Sequence, residues 1–254
     1  NNKDDYLHTL IESYRICASD RDNITFDYQG NDENFLGTND EYIRDKMSLF
    51  DKQAAGNYSF PSPHGGGTAY MNAVDENGLG ISLIQSNFYG IGSRIGVGNY
   101  GFFLHNRGCG FNLIKGHPNS LSPNKKPLHT LSPTIWSKDG SLDFITGTRG
   151  GRYQPQLLAQ TILPYILEES SFEEIMKKPR WTIEYFGSDT SSNIKFEFMK
   201  KSEITMLENK GHKISIENKL IGGYGPISTI YKNSDGNFVG VADIRVGTEK
   251  AFNN

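Results

Sequence analysis

The chain is poor in the residues that build metal centres and disulfide frameworks. Of its 254 residues only two are cysteines, Cys17 and Cys109. Two are too few for a disulfide scaffold, and they pair only if the fold brings them together. The six histidines are scattered, without H-x-x-x-H or C-x-x-C spacing. The sequence therefore supports no metal site and calls for no cofactor. Charge of one sign is also scarce, with 26 basic against 29 acidic residues and a net charge of −3. That balance gives no electrostatic case for nucleic acid or an anionic membrane as partner. No apolar run approaches the length of a membrane span. Repeats, low-complexity tracts and a recognisable leader peptide are missing too. The opening Asn1-Asn2-Lys3-Asp4-Asp5 lacks an initiator Met and reads as the inside of a longer protein. Cellular location stays open on this reading, with the cytoplasm only slightly favoured.

What the chain does have is glycine, 28 residues of it, beside an apolar fraction of 36%. This is the composition of a globular protein rich in strands and turns, long enough for one large or two modest domains. Leu7, Leu10, Ile11, Tyr14 and Ala18 fall at helical spacing and predict a helix over 6–20. Thr38-Asn39-Asp40-Glu41 reads as the cap of a second helix ending near Phe50. Residues 29–40 and 51–67 read as polar loop and exposed linker. Strands are expected over 68–75 and 79–86 around Glu76-Asn77-Gly78, and over 132–138 and 141–147 around Lys138-Asp139-Gly140. Another is expected near Tyr100–Leu104, with 106–127 loop-like. A helix should follow Gly150-Gly151, with Pro155 in its first turn, and a short one should span 171–177. Strands near 192–199, 213–217, 226–232 and 237–243 close the chain. This order suggests helices packed on antiparallel sheets, an α+β protein.

The most informative segment is His64-Gly65-Gly66-Gly67-Thr68, which leads into the 68–75 strand. Glycines give the backbone conformations that residues with a Cβ resist. Such freedom lets a hydroxyl turn back on its own preceding carbonyl. Attack by Thr68 on the carbonyl of Gly67 would break the chain there. Thr68 would then carry a hydroxyl nucleophile and a free α-amine on one residue. On its own the segment reads more readily as a Gly-rich loop entering a strand, since glycine clusters usually mark loops. Gln85-Ser86-Asn87 ends the next strand, and pairing across the 76–78 turn would bring Ser86 near Thr68. Gly147-Thr148-Arg149-Gly150-Gly151-Arg152 stands where a strand meets a helix. Successive glycine N–H groups there could converge on an oxyanion, or simply make a tight turn. Phosphate binding is the weaker reading, because the G-x-x-x-x-G-K-[ST] pattern is missing. Leu128-His129-Thr130-Leu131-Ser132-Pro133 sets polar side chains before a strand, either to hold a substrate or to cap a loop.

Taken in order, Gly-Gly-Thr, Ser-Asn, Asn-Arg-Gly, His-Thr-Leu-Ser-Pro and Thr-Arg-Gly-Gly together resemble the γ-glutamyltranspeptidase family of N-terminal-nucleophile hydrolases. The resemblance runs over nearly the whole chain. It implies a four-layer αββα sandwich. Residues 1–67, with Ala18-Ser19-Asp20-Arg21-Asp22, look like the end of the large subunit, whose earlier part is not present. Residues 68–254 look like the small catalytic subunit, released by cleavage between Gly67 and Thr68. The resemblance carries Thr68 over as nucleophile, with its freed amine as base. Ser86 takes the place of a threonine that hydrogen-bonds the nucleophile. Gly150 and Gly151 match the oxyanion glycines. His129 and Thr130 fall where the family has a serine pair gripping the substrate carboxylate, and only Thr130 keeps the hydroxyl.

Several positions depart from the family. Arg107 and Gly110, in Asn106-Arg107-Gly108-Cys109-Gly110-Phe111, stand where the family places polar binders of the γ-glutamyl amine. A cation there repels ammonium and attracts carboxylate, unless it serves a structural ion pair. Asn87 is one residue from the substrate-binding asparagine, whose place Phe88 takes; one step along a strand points to the other face. Residues 112–127 are shorter than in typical transpeptidases, which suggests a missing lid. Ala69 stands where many members have a second threonine. The implied function is a self-processing amidohydrolase or acyltransferase for a small-molecule amide, γ-glutamyl or glutaryl-like. The alternatives are a glutaryl or cephalosporin-acylase-like amidase and a non-catalytic relative that binds. The resemblance implies the absent large-subunit segment as a partner and leaves a homo-oligomer open.

Overall fold

The computed structural model describes residues 3–28, 35–58, 67–184, 193–247 and 250–252. In chain order its helices are α1 (Lys3–Ile24), α2 (Asp40–Ser48), α3 (Gln154–Glu168), α4 (Phe172–Lys177) and α5 (Lys201–Asn209). Its strands are β1 (Thr68–Val74), β2 (Gly80–Ser86), β3 (Thr134–Lys138), β4 (Ser141–Thr148), β5 (Trp181–Glu184), β6 (Asn193–Phe196), β7 (Lys213–Ile216), β8 (Ile227–Lys232) and β9 (Phe238–Ala242). They form an antiparallel pair β1-β2, an antiparallel sheet β3-β4-β8-β9, and a small sheet β5-β6-β7.

Two hairpins form as their turn residues predict. Asp75 Oδ1 accepts from the N–H groups of Asn77 and Leu79, and Gly78 takes φ +82°. Asp139 and Gly140 both adopt positive φ, as a two-residue turn matched to strand twist requires. The Tyr100–Leu104 expectation fails. Gly98 and Gly101 turn the chain at φ +45° and +76°, and only an isolated bridge, Gly96 to Phe103, forms. Its aromatic residues stay exposed, so no second sheet face rewards a longer strand. Two elements lacked a sequence signal. Strand β5 is held by α3: the N–H groups of Trp181 and Ile183 donate to the side chains of Gln160 and Gln156. Helix α5 is short, and Leu207 is its one buried residue.

The layers follow from strand alternation. On β4, Phe144 points to α3 and α4, where it packs with Leu158, Ile162, Phe172 and Ile175. Ile145 and Gly147 point the opposite way, to β1-β2. A Cβ on Gly147 would fall inside the Tyr70 ring, so glycine is what lets β1 approach this closely. Asn72 Nδ2 also donates to the Ser228 carbonyl at 3.1 Å, tying β1 to β8. The outer face of β1-β2 is open, with Met71 at 52% and Ile81 at 54% exposure. Helices, the four-stranded sheet and β1-β2 are thus three successive layers of the αββα arrangement. The predicted face of α1 is found as expected: Ile11 and Ala18 are buried against β5, β6 and α5, with Leu7, Leu10 and Tyr14 beside them. Cys17 and Cys109 are both exposed and unpaired.

A buried ion network fixes the strand ends near the 147–152 turn. Arg180 Nη1 meets Asp243 Oδ2 at 2.5 Å, and Arg245 contacts both Asp243 and Glu197. Asp243 also accepts from the Ile227 N–H, at the start of β8. Thr148 Oγ1 donates to the Gly225 carbonyl at 2.8 Å, which Arg180 also reaches. Burial alone raises the Asp243 carboxyl pKa. Arg180, the N–H groups of Arg245 and Ile227, and the Arg245 charge outweigh it and hold the group below the usual aspartate range. A depressed folded pKa gives stability that is present above the unfolded value, about 3.9, and is lost as pH falls below it. Asp243→Asn should therefore cost roughly 3–5 kcal/mol near neutral pH. In urea melts the gap from wild type should close as pH is lowered below about 4. A variant as stable as wild type at pH 7 would contradict this.

Candidate active site

The β1-β2 register pairs Thr68 with Ser86, the first residue of one strand with the last of the other. Both side chains then point to the inner face, toward the four-stranded sheet. Thr68 Oγ1 donates to Ser86 Oγ at 3.0 Å. Ser86 Oγ in turn donates to the Gly67 carbonyl oxygen at 3.1 Å and accepts from the Phe88 N–H at 3.0 Å. One hydroxyl thus uses its donor and both acceptor positions. It bridges the Thr68 hydroxyl and the carbonyl on the other side of the Gly67–Thr68 peptide bond. Gly67 is exposed, and its N–H reaches the Gly90 carbonyl at 3.2 Å. The preceding His64, Gly65 and Gly66 lie outside the described residues, as do residues 59–63 of the expected linker and residues 29–34. The start of that linker is anchored. Gly56 N–H donates to the buried Glu12 at 2.8 Å, and the His8 ring bonds the Asp51 carbonyl at 2.9 Å.

The second wall is the 147–152 turn. Gly150 takes φ +123° and Gly151 φ +56°, backbone that favours glycine. The inner bonds of the turn run from the N–H groups of Tyr153 and Gln154 to the Gly150 and Gly151 carbonyls. They leave the two glycine N–H groups uncommitted within the turn. The N-terminus of α3 follows, with no side-chain cap at Tyr153 and Pro155 in its first turn. Its dipole adds positive potential where an oxyanion would sit. Helix α1 clamps this wall from behind: Arg152 forms a two-pronged pair with Asp22 at 2.7 and 3.1 Å, and Tyr14 OH donates to the Arg152 carbonyl. Asp22 was quoted in the sequence, but nothing there showed what it would touch.

A cleft of about 10 Å³, room for about one water, joins Thr68, Ser86, Phe88, Tyr89, Thr130, Gly151 and Arg152. It gathers Thr68, Ser86, Gly151 and Thr130 from the expected site, with Gly150 adjoining. Arg107 stands at its edge, 3.4 Å from Thr130 Oγ1 and 3.5 Å from the Ser86 carbonyl. Two expected binders are not in it. Asn87 turns to the Ile91 carbonyl at 3.4 Å, and His129 is exposed. Although the residue is exposed as a whole, partial desolvation of its ring and the nearby Arg107 charge hold the His129 pKa below its usual 6.5. Phe88, Tyr89 and Arg152 line the cleft instead. Phe88 takes φ +79°, an uncommon conformation for an aromatic residue, yet it is only 7% exposed. The Ser86 hydroxyl bond, the tilted Tyr89 ring and the Arg107 guanidinium 4.8 Å from its ring centre hold it there.

These layers and this threonine-centred cleft define an N-terminal-nucleophile hydrolase fold, and comparison with known proteins agrees. A family profile, gamma-glutamyltranspeptidase, matches residues 1–252. The chain belongs to the γ-glutamyltranspeptidase family. It is 30% identical over 253 residues to the glutathione hydrolase-like YwrD proenzyme of Bacillus subtilis, covering 95% of this chain and 46% of that one. It is 31% identical to the oxamate amidohydrolase proenzyme of Klebsiella pneumoniae, covering 72% and 36%. In structure it is similar to cephalosporin acylase from Bacillus halodurans, with TM-score 0.82, 24% identity, and coverage of 100% of this chain and 46% of that one. A γ-glutamyltranspeptidase from Pseudomonas nitroreducens gives TM-score 0.60 at 19% identity, covering 73% and 98%. The chain spans less than half the length of the two curated relatives. Among the described residues, no helix is long and apolar enough to cross a membrane and no cluster suits a metal ion.

The strain at Phe88 is testable apart from any activity. Phe88→Ala should destabilise by about 3 kcal/mol, as for other buried phenylalanines. Phe88→Gly removes the same contacts but relieves the positive φ. In urea melts it should be no less stable than the alanine variant, the reverse of the usual order of these residues. A glycine variant clearly weaker than alanine would show that the backbone there is not strained.

Proposed function

We propose that the protein is a self-processing amidohydrolase or acyltransferase that cleaves γ-glutamyl or related carboxy-acyl amides through an acyl-enzyme on Thr68. The observation that carries this reading is the Ser86 hydroxyl, bonded at once to Thr68 Oγ1 and to the Gly67 carbonyl. In processing, Thr68 Oγ attacks the Gly67 carbonyl carbon, and Ser86 stabilises the charge gathering on its oxygen. The C–N bond breaks as the C–O bond forms, leaving an ester and a free Thr68 amine. Water then hydrolyses the ester and releases Gly67 as a carboxylate. The freed amine titrates near about 7.7–8 and is partly neutral at physiological pH, as a base requires.

In turnover the amine takes the Thr68 hydroxyl proton, and the oxygen attacks the substrate amide. The Gly150 and Gly151 N–H groups receive the oxyanion. The proton passes to the departing amine, and water or an acceptor amine releases the acyl group. The relatives support this class of chemistry: their names include a glutathione hydrolase-like proenzyme, an oxamate amidohydrolase proenzyme and a cephalosporin acylase. A glutaryl- or cephalosporin-acylase-like donor is the second reading, favoured by the cationic Arg107 at the cleft.

Intact mass under denaturing conditions, with N-terminal sequencing, should find two fragments divided between Gly67 and Thr68. Thr68→Ala should stay in one piece and lose amidase activity. Ser86→Ala should process at least about 10-fold more slowly, since one hydrogen bond to developing charge is worth that much or more; Ser86→Thr should process near the wild-type rate. A single uncleaved wild-type chain that hydrolyses no amide would point instead to a non-catalytic relative that binds.

A further inference from the structure

Arg107 is 8% exposed and carries a full charge, which normally demands a carboxylate partner. Among the described residues it has none. Its polar contacts are the long ones to Thr130 and the Ser86 carbonyl, and its face lies on the Phe88 ring. Two long bonds leave most of its five N–H donors unused. Among the described residues its Nε has no bond and is not sealed from solvent, so at least that donor remains reachable. Burial pulls the guanidinium pKa down, and no acidic neighbour offsets it. A structural ion pair, the ordinary explanation of such an arginine, is therefore not what holds it here.

Ser86 touches Thr68 through its hydroxyl and Arg107 through its carbonyl, so the guanidinium stands about one residue from the nucleophile. No acidic side chain lines the cleft that could pair with an ammonium group. Gly110 carries no side chain, and a Cβ there would sit tightly, 3.1 Å from the Leu128 carbonyl oxygen. We infer that Arg107 anchors the distal carboxylate of the acyl donor, and that the donors are monoamides of short dicarboxylic acids without an α-amine. The carboxylate lies against the guanidinium while the amide carbonyl reaches Thr68. Thr130 Oγ1 supplies a further hydrogen bond to the carboxylate. Thr68 Oγ then replaces the amide nitrogen, which leaves with the proton, and water releases the diacid. A γ-glutamyl donor presents the same chain with an added ammonium, which would lose its water beside a buried cation. The inference rests on Thr68 as the acyl-accepting nucleophile.

The test uses the whole polypeptide and three p-nitroanilides: glutaryl, γ-glutamyl and butanoyl. The glutaryl compound should have the highest kcat/KM. Arg107→Met should lower the glutaryl-to-butanoyl ratio by about 10- to 100-fold, through KM, the scale of a hydrogen-bonded charge. Arg107→Lys should recover part of the ratio. A Thr68-terminated fragment shows that each variant has folded and matured. An unchanged ratio in Arg107→Met, or γ-glutamyl preferred over glutaryl in wild type, would overturn the inference. If wild type neither matures nor hydrolyses any anilide, the Thr68 reading has failed. Calorimetry with glutarate and butyrate then decides on Arg107 alone. Glutarate bound more tightly than butyrate, and weakened by Arg107→Met, supports the anchor; equal binding of the two overturns it.

Discussion

The register of one hairpin governs this site. With Thr68 opposite Ser86, both hydroxyls face inward and meet at 3.0 Å. A slip by a single residue would send Thr68 to the solvent face and bring Ala69 inward. Nothing in the Thr-Ser pair itself holds the register, since one hydrogen bond between hydroxyls contributes only about 1 kcal/mol. The holding is done further along the strands. Tyr70 settles on Gly147, Asn72 reaches the Ser228 carbonyl, and the Asp75 side chain closes the turn. Each contact would be broken by the same slip. Chemistry at one end of the hairpin therefore depends on packing and turn geometry at the other.

The site is assembled from three parts of the chain with different mechanical support. The hydroxyl pair rides on β1-β2. The glycine turn is pinned on one side by Thr148 and the Arg180–Asp243 network, and on the other by Asp22 and Tyr14 of α1. Phe88 follows β2 and Arg107 begins a 3-10 turn (Arg107–Gly110), outside the sheets, and they pack on each other. Residues before Thr68 and residues after it thus meet at Arg152. Cleavage of the Gly67–Thr68 bond would leave those contacts in place, because none of them runs through that bond.

Much of this was legible in the residues. The face of α1, both hairpin turns, the Thr68–Ser86 approach and the glycine turn follow from local spacing and from pairing across a short turn. What escaped was set by distant partners. Trp181–Glu184 is a strand because two glutamines of α3 accept from its N–H groups, and no period within four residues announces that. Tyr100–Leu104 has the aromatic content of a strand but no sheet to join. The Asp22–Arg152 clamp joins residues 130 positions apart. Asn87 and His129 look like binders by type, yet neither lines the cleft. Phe88 looks like core filler, yet it forms part of the wall.

That exchange between Asn87 and Phe88 separates two properties of the protein. On the proposed reading, reaction chemistry would rest on hydroxyls and glycine N–H groups, which look the same to any amide carbonyl. Choice of acyl group would rest on what surrounds them, an aromatic residue at positive φ with a cation beside its ring. The Ser86 hydroxyl bonds the Phe88 N–H as well as Thr68, so the partner of Thr68 also holds the residue that packs on Arg107. The strain at Phe88, of order 1 kcal/mol or more, is thereby borne next to Thr68. A smaller or more relaxed residue at 88 would leave the Thr68–Ser86 pair in place while freeing Arg107 to swing toward solvent. One positive backbone angle thus couples the hydroxyl pair to the cation beside it.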